Sequence, residues 1–179
     1  MSQNLIKPGF DVLVFGDENV GKSAILNKYC AGDFEINSEI QRLESKNCNE
    51  RHKIIQANHE NMQVSLWEYQ NWAMHGMLPL FFGKPYAIIF CYDVTNRKSF
   101  KNISNWISKF DERLIKNFTG ILVGNKSDLP RERGVSYNEG KKLAEKLGLL
   151  FMETSAEYSK NIDEIFNILL RILALNFDR

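Results

Sequence analysis

Short, largely apolar runs alternate along this chain with segments in which apolar residues recur every three or four positions. The runs are typical of buried strands, and 86–92 is so uniformly apolar that both of its faces should be covered. The longer period is typical of amphipathic helices. The predicted strands are 10–15, 54–57, 62–67, 86–92, 121–124 and 149–152, and the predicted helices are 21–31, 99–118, 136–148 and 162–175. This alternation predicts an α/β fold, a doubly wound sheet that binds its ligand at the carboxyl ends of the strands.

Polar segments separate these elements. Residues 34–53 are polar and charged without a clear period, so we expect a surface segment that leads into an edge strand. Residues 58–61 predict a hairpin turn between two strands. Segment 68–83 begins polar and then becomes apolar, which predicts an irregular stretch with a short helix. Ser136 and Glu139 have the spacing of a capping box, which predicts a helix start.

Length and net charge limit the classes of protein to which this chain can belong. The 179 residues fit one domain, and 23 Lys and Arg against 22 Asp and Glu leave a net charge of +1. We therefore expect no nucleic-acid partner, because no global field draws the protein to polyanions. Three cysteines without metal-type spacing indicate a reducing cytoplasmic setting, although a single disulfide pair stays open. No apolar run approaches membrane-spanning length.

The first chemical motif is a glycine-rich segment between the first strand and the first helix, here called the phosphate loop (16–23). It fits G-x-x-x-x-G-K-[ST], in which backbone N–H groups and a helix N-terminus bind phosphate oxygens. Lys22 is expected to reach the β- and γ-phosphates, and the Ser23 hydroxyl to bind Mg²⁺. The alternative is a glycine-rich turn with a solvated lysine. The predicted phosphate-binding residues are Gly16, Asp17, Glu18, Asn19, Val20, Gly21, Lys22 and Ser23.

A second motif, here called the base loop (125–128), follows the predicted strand 121–124. An ionised Asp128 can accept hydrogen bonds from the adjacent N1–H and N2–H₂ donors of guanine, a donor pair that adenine lacks. The stem of Lys126 can lie across the base, and Asn125 can connect this loop to the phosphate loop. The alternative is a hydrophilic turn between a strand and a helix.

A third motif, here called the third loop (153–156), follows the last predicted strand. Its sequence is Glu-Thr-Ser-Ala, and the small side chains of Ser155 and Ala156 permit their backbone N–H groups to meet the guanine O6. For this tetrapeptide alone, a helix N-cap is an equally good interpretation. Together the three loops predict a single site for a guanosine phosphate.

With these three motifs the chain resembles the Ras-superfamily small GTPases, and over nearly its whole length it is similar to the Rab branch. Residues 93–96, Ser99, Phe100 and Trp106 also match Rab sequences. The resemblance implies a P-loop G domain over 1–179, with a six-stranded, mostly parallel sheet and about five helices on its two faces. It further implies GTP or GDP and Mg²⁺ as ligands, and it places Phe34 against the guanine.

The chain departs from the family pattern in the first switch. In the family a threonine there closes on Mg²⁺ and the γ-phosphate, but this spacing places Gln41 at the position, with Ser38 and Ser45 as displaced hydroxyls. No threonine occurs between Ser23 and Thr95. The response to the γ-phosphate is therefore expected to be weak.

The second switch departs as well. The family motif W-D-x-x-G-Q corresponds here to residues 67–72, Trp-Glu-Tyr-Gln-Asn-Trp. Glu68 replaces the aspartate that holds a metal-bound water, and Asn71 replaces a glycine. Trp72 stands where a glutamine orients the attacking water, and an indole cannot do this because it has one donor and no good acceptor. Gln70, two residues earlier, is the candidate catalytic residue. Glu18 adds a charge where the family prefers a small residue.

These departures predict a Rab-like switch in vesicle trafficking or signalling that binds GTP, hydrolyses it very slowly and needs Mg²⁺ less than its relatives. Protein effectors or regulators would contact 34–46 and 68–82. The alternative is a pseudo-GTPase, a non-switching module that keeps a nucleotide for stability. A P-loop nucleotide kinase shares the first motif, but the base loop argues against it. The end of this chain carries no prenylation cysteine. We therefore expect a cytoplasmic protein that is peripheral on endomembranes only if a lipidated tail or second domain lies outside this sequence.

Overall fold

Six strands and four helices make up the part of the chain that the computed structural model describes, residues 7–31, 48–57, 60–69, 86–108, 110 and 118–177. The strands are β1 (Lys7–Phe15), β2 (Cys48–Ala57), β3 (Glu60–Tyr69), β4 (Tyr86–Asp93), β5 (Thr119–Asn125) and β6 (Leu150–Glu153). The helices are α1 (Lys22–Cys30), α2 (Arg97–Ser108), α3 (Tyr137–Leu147) and α4 (Ile162–Phe177).

All six strands form one sheet in the order β2-β3-β1-β4-β5-β6. Strands β2 and β3 pair antiparallel as a hairpin, and every other neighbouring pair is parallel. The predicted six-stranded, mostly parallel sheet is confirmed. Four of the five expected helices lie in the described ranges, and the short helix expected within 68–83 falls almost wholly outside them.

The sheet has helices on both faces because alternate residues of its central strands point to opposite sides. On β1, Val12 and Val14 join a core with α1 and α4, whereas Leu13 and Phe15 join a second core with α2 and α3. Every residue of β4 is buried, as expected for a central parallel strand covered twice. The carboxyl ends of β1, β4, β5 and β6 therefore meet at one edge of the sheet.

Several boundaries differ from the sequence prediction. Strand β2 begins at Cys48 rather than near Ile54. Two charged residues in its first part point back over α1: Arg51 contacts Asn27, and Lys53 contacts Tyr29. Charged side chains can occupy one face of an edge strand in this way, and they conceal it in the sequence. Strand β3 continues through Glu68, which was expected to begin an irregular segment. Its position matters for the site described next.

The helix start predicted at Ser136 is confirmed. Helix α3 begins at the capping box: Glu139 N–H donates to Ser136 Oγ, and the Glu139 carboxylate accepts from the Ser136 N–H. The thiols of Cys30 and Cys91 are free. Within the described ranges, no helix is long and apolar enough to cross a membrane.

Candidate nucleotide site

The phosphate loop, the base loop and the third loop meet at the carboxyl edge of the sheet, and Asn125 joins all three. Its side-chain amide donates to the Val20 carbonyl at 3.0 Å. Its Oδ1 accepts from Thr154 Oγ1 at 3.1 Å and from the Ala156 N–H at 3.3 Å. Asn125 is 1% exposed, so these bonds replace water that it has lost. The connection that the sequence predicted between base loop and phosphate loop is present.

Close approach of these loops depends on two glycines. Gly21 has φ +98°, and a Cβ atom there would collide with the Asn125 amide. Gly16 has φ +149°, and a Cβ atom there would collide with the Cys91 carbonyl on β4. A side chain at either position would strain the backbone, and it would push the phosphate loop away from Asn125 at Gly21 or away from β4 at Gly16. This requirement explains the two glycines that the motif contains.

An open pocket of about 220 Å³ lies over the phosphate loop, lined by Glu18, Asn19, Lys22, Ser23 and Glu68. The Lys22 ammonium donates to the carbonyls of Gly16 at 2.9 Å and Asp17 at 2.8 Å. An ammonium has three N–H groups, so one is left for a ligand oxygen. Burial lowers the pKa of Lys22, and nearby acidic groups, including Glu68, oppose that shift. The pocket thus contains a buried cation suited to a phosphate.

The Asp17 carboxylate turns away from this pocket. It accepts from Asn102 Nδ2 at 2.6 Å and from Trp106 Nε1 at 2.9 Å, both on α2. Asn102 and Trp106 are four residues apart and therefore share one face of the helix. Asp17 was predicted to bind phosphate as part of a loop that acts through its backbone N–H groups, and that role stays a prediction; its side chain anchors the loop to α2. The sequence offered no sign of this contact, because the partners are 85 and 89 residues away.

Ser23 and Glu68 form the corner where the sequence placed Mg²⁺. Ser23 Oγ donates to Glu68 Oε1 at 2.6 Å, which leaves the lone pairs of the hydroxyl oxygen for a metal ion. Among the described residues, no group of three or more His, Cys, Asp or Glu side chains could hold a metal by itself. The two residues fit a Mg²⁺ ion that takes its other ligands from phosphate and water.

Sequence analysis missed Arg51, which completes this corner. Its Nη1 lies 3.4 Å from Glu68 Oε2, and its Nε donates to Asn27 Oδ1 at 3.0 Å. Glu68 is only 2% exposed, so the guanidinium is the counter-charge of a buried carboxylate. The sequence offered no periodic signal for this residue, because 48–53 are almost all polar and were interpreted as part of a surface segment that leads into an edge strand.

The base loop presents one carboxylate and one anchored lysine. Lys126, with φ +65°, places its ammonium 2.7 Å from Asp93 Oδ2 at the end of β4. Asp93 Oδ1 also accepts from the Thr95 N–H and hydroxyl, both at 2.8 Å. In the part of the chain that the structure describes, the half-buried Asp128 carboxylate has no hydrogen-bond or ion-pair partner. It is therefore available as an acceptor for a ligand.

The third loop differs from expectation. The Ser155 N–H donates to the Lys160 carbonyl at 3.2 Å, and the Ala156 N–H donates to Asn125. Both groups were expected to be free for the guanine O6. A tight turn produces the difference, because Ser155 and Lys160 form a two-way antiparallel bridge ahead of α4. Both bonds, at 3.2 and 3.3 Å, lie at the long end of the range for N–H···O hydrogen bonds.

The remaining predicted site residues, Phe34, Gln41, Gln70 and Trp72, lie outside the described residues. The same is true of 34–46 and of all but the first two residues of 68–82. Their roles stay predictions.

Comparison with known proteins finds related sequences over most of this chain. A model of the Ras family matches residues 11–174. The chain is 31% identical to the Ras-related protein RIC1 of Oryza sativa subsp. japonica, over 88% of this chain and 76% of that protein. It is 30% identical to the Ras-related protein Rab-17 of Homo sapiens, over 94% of this chain and 78% of that protein. It is 31% identical to the Ras-related protein Rab-11B of Dictyostelium discoideum, over 90% of this chain and 72% of that protein.

Proposed function

Because this chain belongs to the Ras family of small GTPases, we propose that it is a single G domain that binds GTP and GDP through its three loops. It would act as a Rab-like switch in vesicle trafficking or signalling, in the cytoplasm and on endomembrane surfaces. Effectors or regulators would contact 34–46 and 68–82.

The observation that carries this proposal is the bond from Asn125 to Val20. It links the loop that carries Asp128, a carboxylate without a partner among the described residues, to the loop that carries Lys22, a buried ammonium. A guanosine phosphate has complementary groups at its two ends, N–H donors on the base and anionic oxygens on the phosphates. Neither end alone identifies the ligand, but together they favour a guanine nucleotide.

We further propose that hydrolysis is very slow. Phosphoryl transfer depends on positioned water and on charge stabilisation, and Trp72 cannot orient water as a glutamine does. Gln70 stays the candidate substitute. Mg²⁺ would supply charge neutralisation at the phosphates, held on the protein side by Ser23 and, through water, by Glu68.

A specific observation also favours the second candidate, a pseudo-GTPase that does not switch. Both oxygens of Glu68 have protein partners, Ser23 and Arg51, so contacts within the protein can by themselves fix the position of this carboxylate. Limited proteolysis of the GDP-loaded and GTP-loaded protein separates the two functions. A switch gives different cleavage patterns in the two states, and a non-switching module gives the same one.

The decisive experiment is mass spectrometry of the nucleotide that co-purifies with the protein, followed by GDP affinity measurements on variants. We expect guanosine phosphates in the wild type and loss of binding in Lys22→Ala and Asp128→Ala. Lys28→Ala is the matched control, because Lys28 is an exposed cation on the same helix as Lys22. Retained affinity in both site variants, or a different base, would overturn the proposal.

A further inference from the structure

Arg51, on β2, belongs to none of the three loops, but it contacts Glu68 in the part of the pocket where Mg²⁺ would bind. It contacts Glu68 on β3 through Nη1 and Asn27 on α1 through Nε. A guanidinium bound at two of its nitrogens to two different elements has a defined position. Its side chain is 21% exposed and that of Glu68 is 3% exposed, so solvent screens this pair only partly.

The negative charge of the Glu68 carboxylate is unfavourable in a site that binds phosphates. Its carboxylate lines the same pocket as Lys22 and Ser23, where phosphates would lie. A buried carboxylate beside phosphate oxygens is repulsive unless a cation stands between or beside them. A divalent metal ion is one such cation, and the Arg51 guanidinium is a second one that belongs to the protein.

We propose that Arg51 neutralises Glu68 and thereby makes nucleotide retention largely independent of Mg²⁺. This inference rests on the proposed function, because it concerns the same nucleotide. When the metal ion is removed from wild-type protein, Glu68 keeps a counter-charge and the phosphates stay bound by Lys22 and the phosphate loop. Without Arg51, removal of the metal leaves Lys22 as the one cation among the described pocket residues to balance both Glu68 and the phosphates, and the nucleotide is released.

Arg51 is a positioning residue in this scheme, since it acts through Glu68. A purely structural brace between β2, β3 and α1 would predict something different. Its loss would speed nucleotide release by the same factor with and without metal. The ratio of the two release rates therefore separates an electrostatic role from a structural one.

The test uses the full chain loaded with a fluorescent GDP, N-methylanthraniloyl-GDP, and chased with unlabelled GDP in excess Mg²⁺ or excess chelator. In wild type we expect the chelator to accelerate release by less than about threefold, and in Arg51→Gln by more than about tenfold. Arg51→Met, which keeps the apolar stem, should behave like Arg51→Gln. Circular dichroism checks that each variant is folded.

Three further variants sharpen the result. Arg51→Lys keeps the charge and should restore the small ratio. Lys53→Gln is the matched control, because Lys53 is a cation on the same strand that donates to the Tyr29 carbonyl. For this variant, the rate of GDP release in chelator divided by the rate in Mg²⁺ should equal the wild-type ratio. In the double variant Arg51→Gln with Glu68→Gln the ratio should fall back, since the carboxylate that needs compensation is gone.

Equal ratios in wild type and both uncharged Arg51 variants would overturn the inference, as would a wild type that releases GDP more than about tenfold faster in chelator. Either result would leave the proposed function intact, because the nucleotide is still bound in excess Mg²⁺. Failure of wild type to bind the fluorescent GDP under any condition would instead overturn the proposed function, and this inference with it.

Discussion

The side-chain amide of Asn125 donates a hydrogen bond to the carbonyl of Val20 at 3.0 Å, across 105 residues of sequence. The bond joins the loop after β5 to the loop after β1. Asn125 accepts two more bonds from the third loop, so one buried residue sets the distances among the three segments that would hold a nucleotide. The site is therefore sensitive to a change of a single atom at this position.

Asn125→Asp tests that sensitivity. The change replaces the N–H donor with a carboxylate oxygen that faces the Val20 carbonyl at a buried position. We expect the free energy of unfolding to fall by about 2–4 kcal/mol and GDP release to accelerate at least tenfold, by roughly the loss of one buried hydrogen bond and its partner. Urea unfolding and fluorescent GDP release measure the two effects.

Thr154→Val is the matched control for Asn125→Asp. It removes only the hydroxyl donor to Asn125 Oδ1 and keeps the bond to Val20. We expect a smaller loss of stability, about 1 kcal/mol, and little change in GDP release. If the two variants released GDP at the same rate, the Asn125 to Val20 bond would not be the connection that matters.

Trp106→Phe tests the connection between the phosphate loop and α2. The indole N–H donates to the Asp17 carboxylate at 2.9 Å, and phenylalanine keeps most of the packing while removing that donor. Hydrogen bonds to charged groups contribute about 1.5–3 kcal/mol, so we expect stability to fall by about that amount. GDP release should accelerate several-fold, because the loop that binds phosphate loses one of its two anchors on α2.

Trp67→Phe serves as the comparison for Trp106→Phe. Trp67 Nε1 also donates to an aspartate, Asp11, at 3.0 Å, but this pair joins β3 to β1 and neither residue lines the pocket. Urea unfolding should show a similar loss of stability, whereas GDP release should stay close to wild type. Faster release in both variants would mean that general loosening, rather than the Asp17 anchor, controls the nucleotide.

The rate of GTP hydrolysis tests the interpretation of the second switch. We expect single-turnover phosphate release from this protein to be at least about tenfold slower than from a Rab relative that keeps W-D-x-x-G-Q, because Trp72 cannot position water. Gln70→Ala should slow it further if Gln70 has taken over that role. A rate equal to that of the relative would contradict the prediction.

The pair Arg97 and Glu139 predicts a pH dependence of stability. The hydrogen bond from Arg97, at 2.5 Å, together with bonds from Ser136, lowers the pKa of Glu139 to about 2 from the ordinary value of 4.5. A carboxyl group whose pKa is lower in the folded state stabilises that state above pH 4.5 and loses this contribution as the pH falls toward 2. Glu139→Gln should therefore show a smaller drop in Tm across that interval than wild type.

Glu145→Gln is the control for this pH experiment, because Glu145 is an exposed carboxylate on the same helix. Its Tm profile should follow that of wild type between pH 4.5 and 2. Parallel profiles for wild type and both variants would show that the bonds around Glu139 do not contribute to acid sensitivity.

The motifs could be predicted from the sequence because each depends on neighbouring residues and on the strand that precedes it. Gly21, Lys22 and Ser23 follow an apolar run and begin a helix, and both requirements are local. The order of strands and helices was readable for the same reason, since burial imposes a period on the residues. The hairpin of β2 and β3 was predicted, but the first part of β2, residues 48–53, was not. Polar and charged residues there give no strand pattern.

Tertiary structure alone decided which groups became partners across long intervals of sequence. Asp17 turned to α2 rather than to the pocket, Ser155 paired with Lys160, and Arg51 became the counter-charge of Glu68. A local pattern records whether a residue is polar, but its partner depends on how distant elements pack. By itself the sequence of this protein determined the fold class, the phosphate loop and the base loop. Packing determined the partners of the charged groups around them, because a buried ionised group needs a counter-charge or hydrogen-bond donors, and residues close in space supply these whatever their separation in sequence.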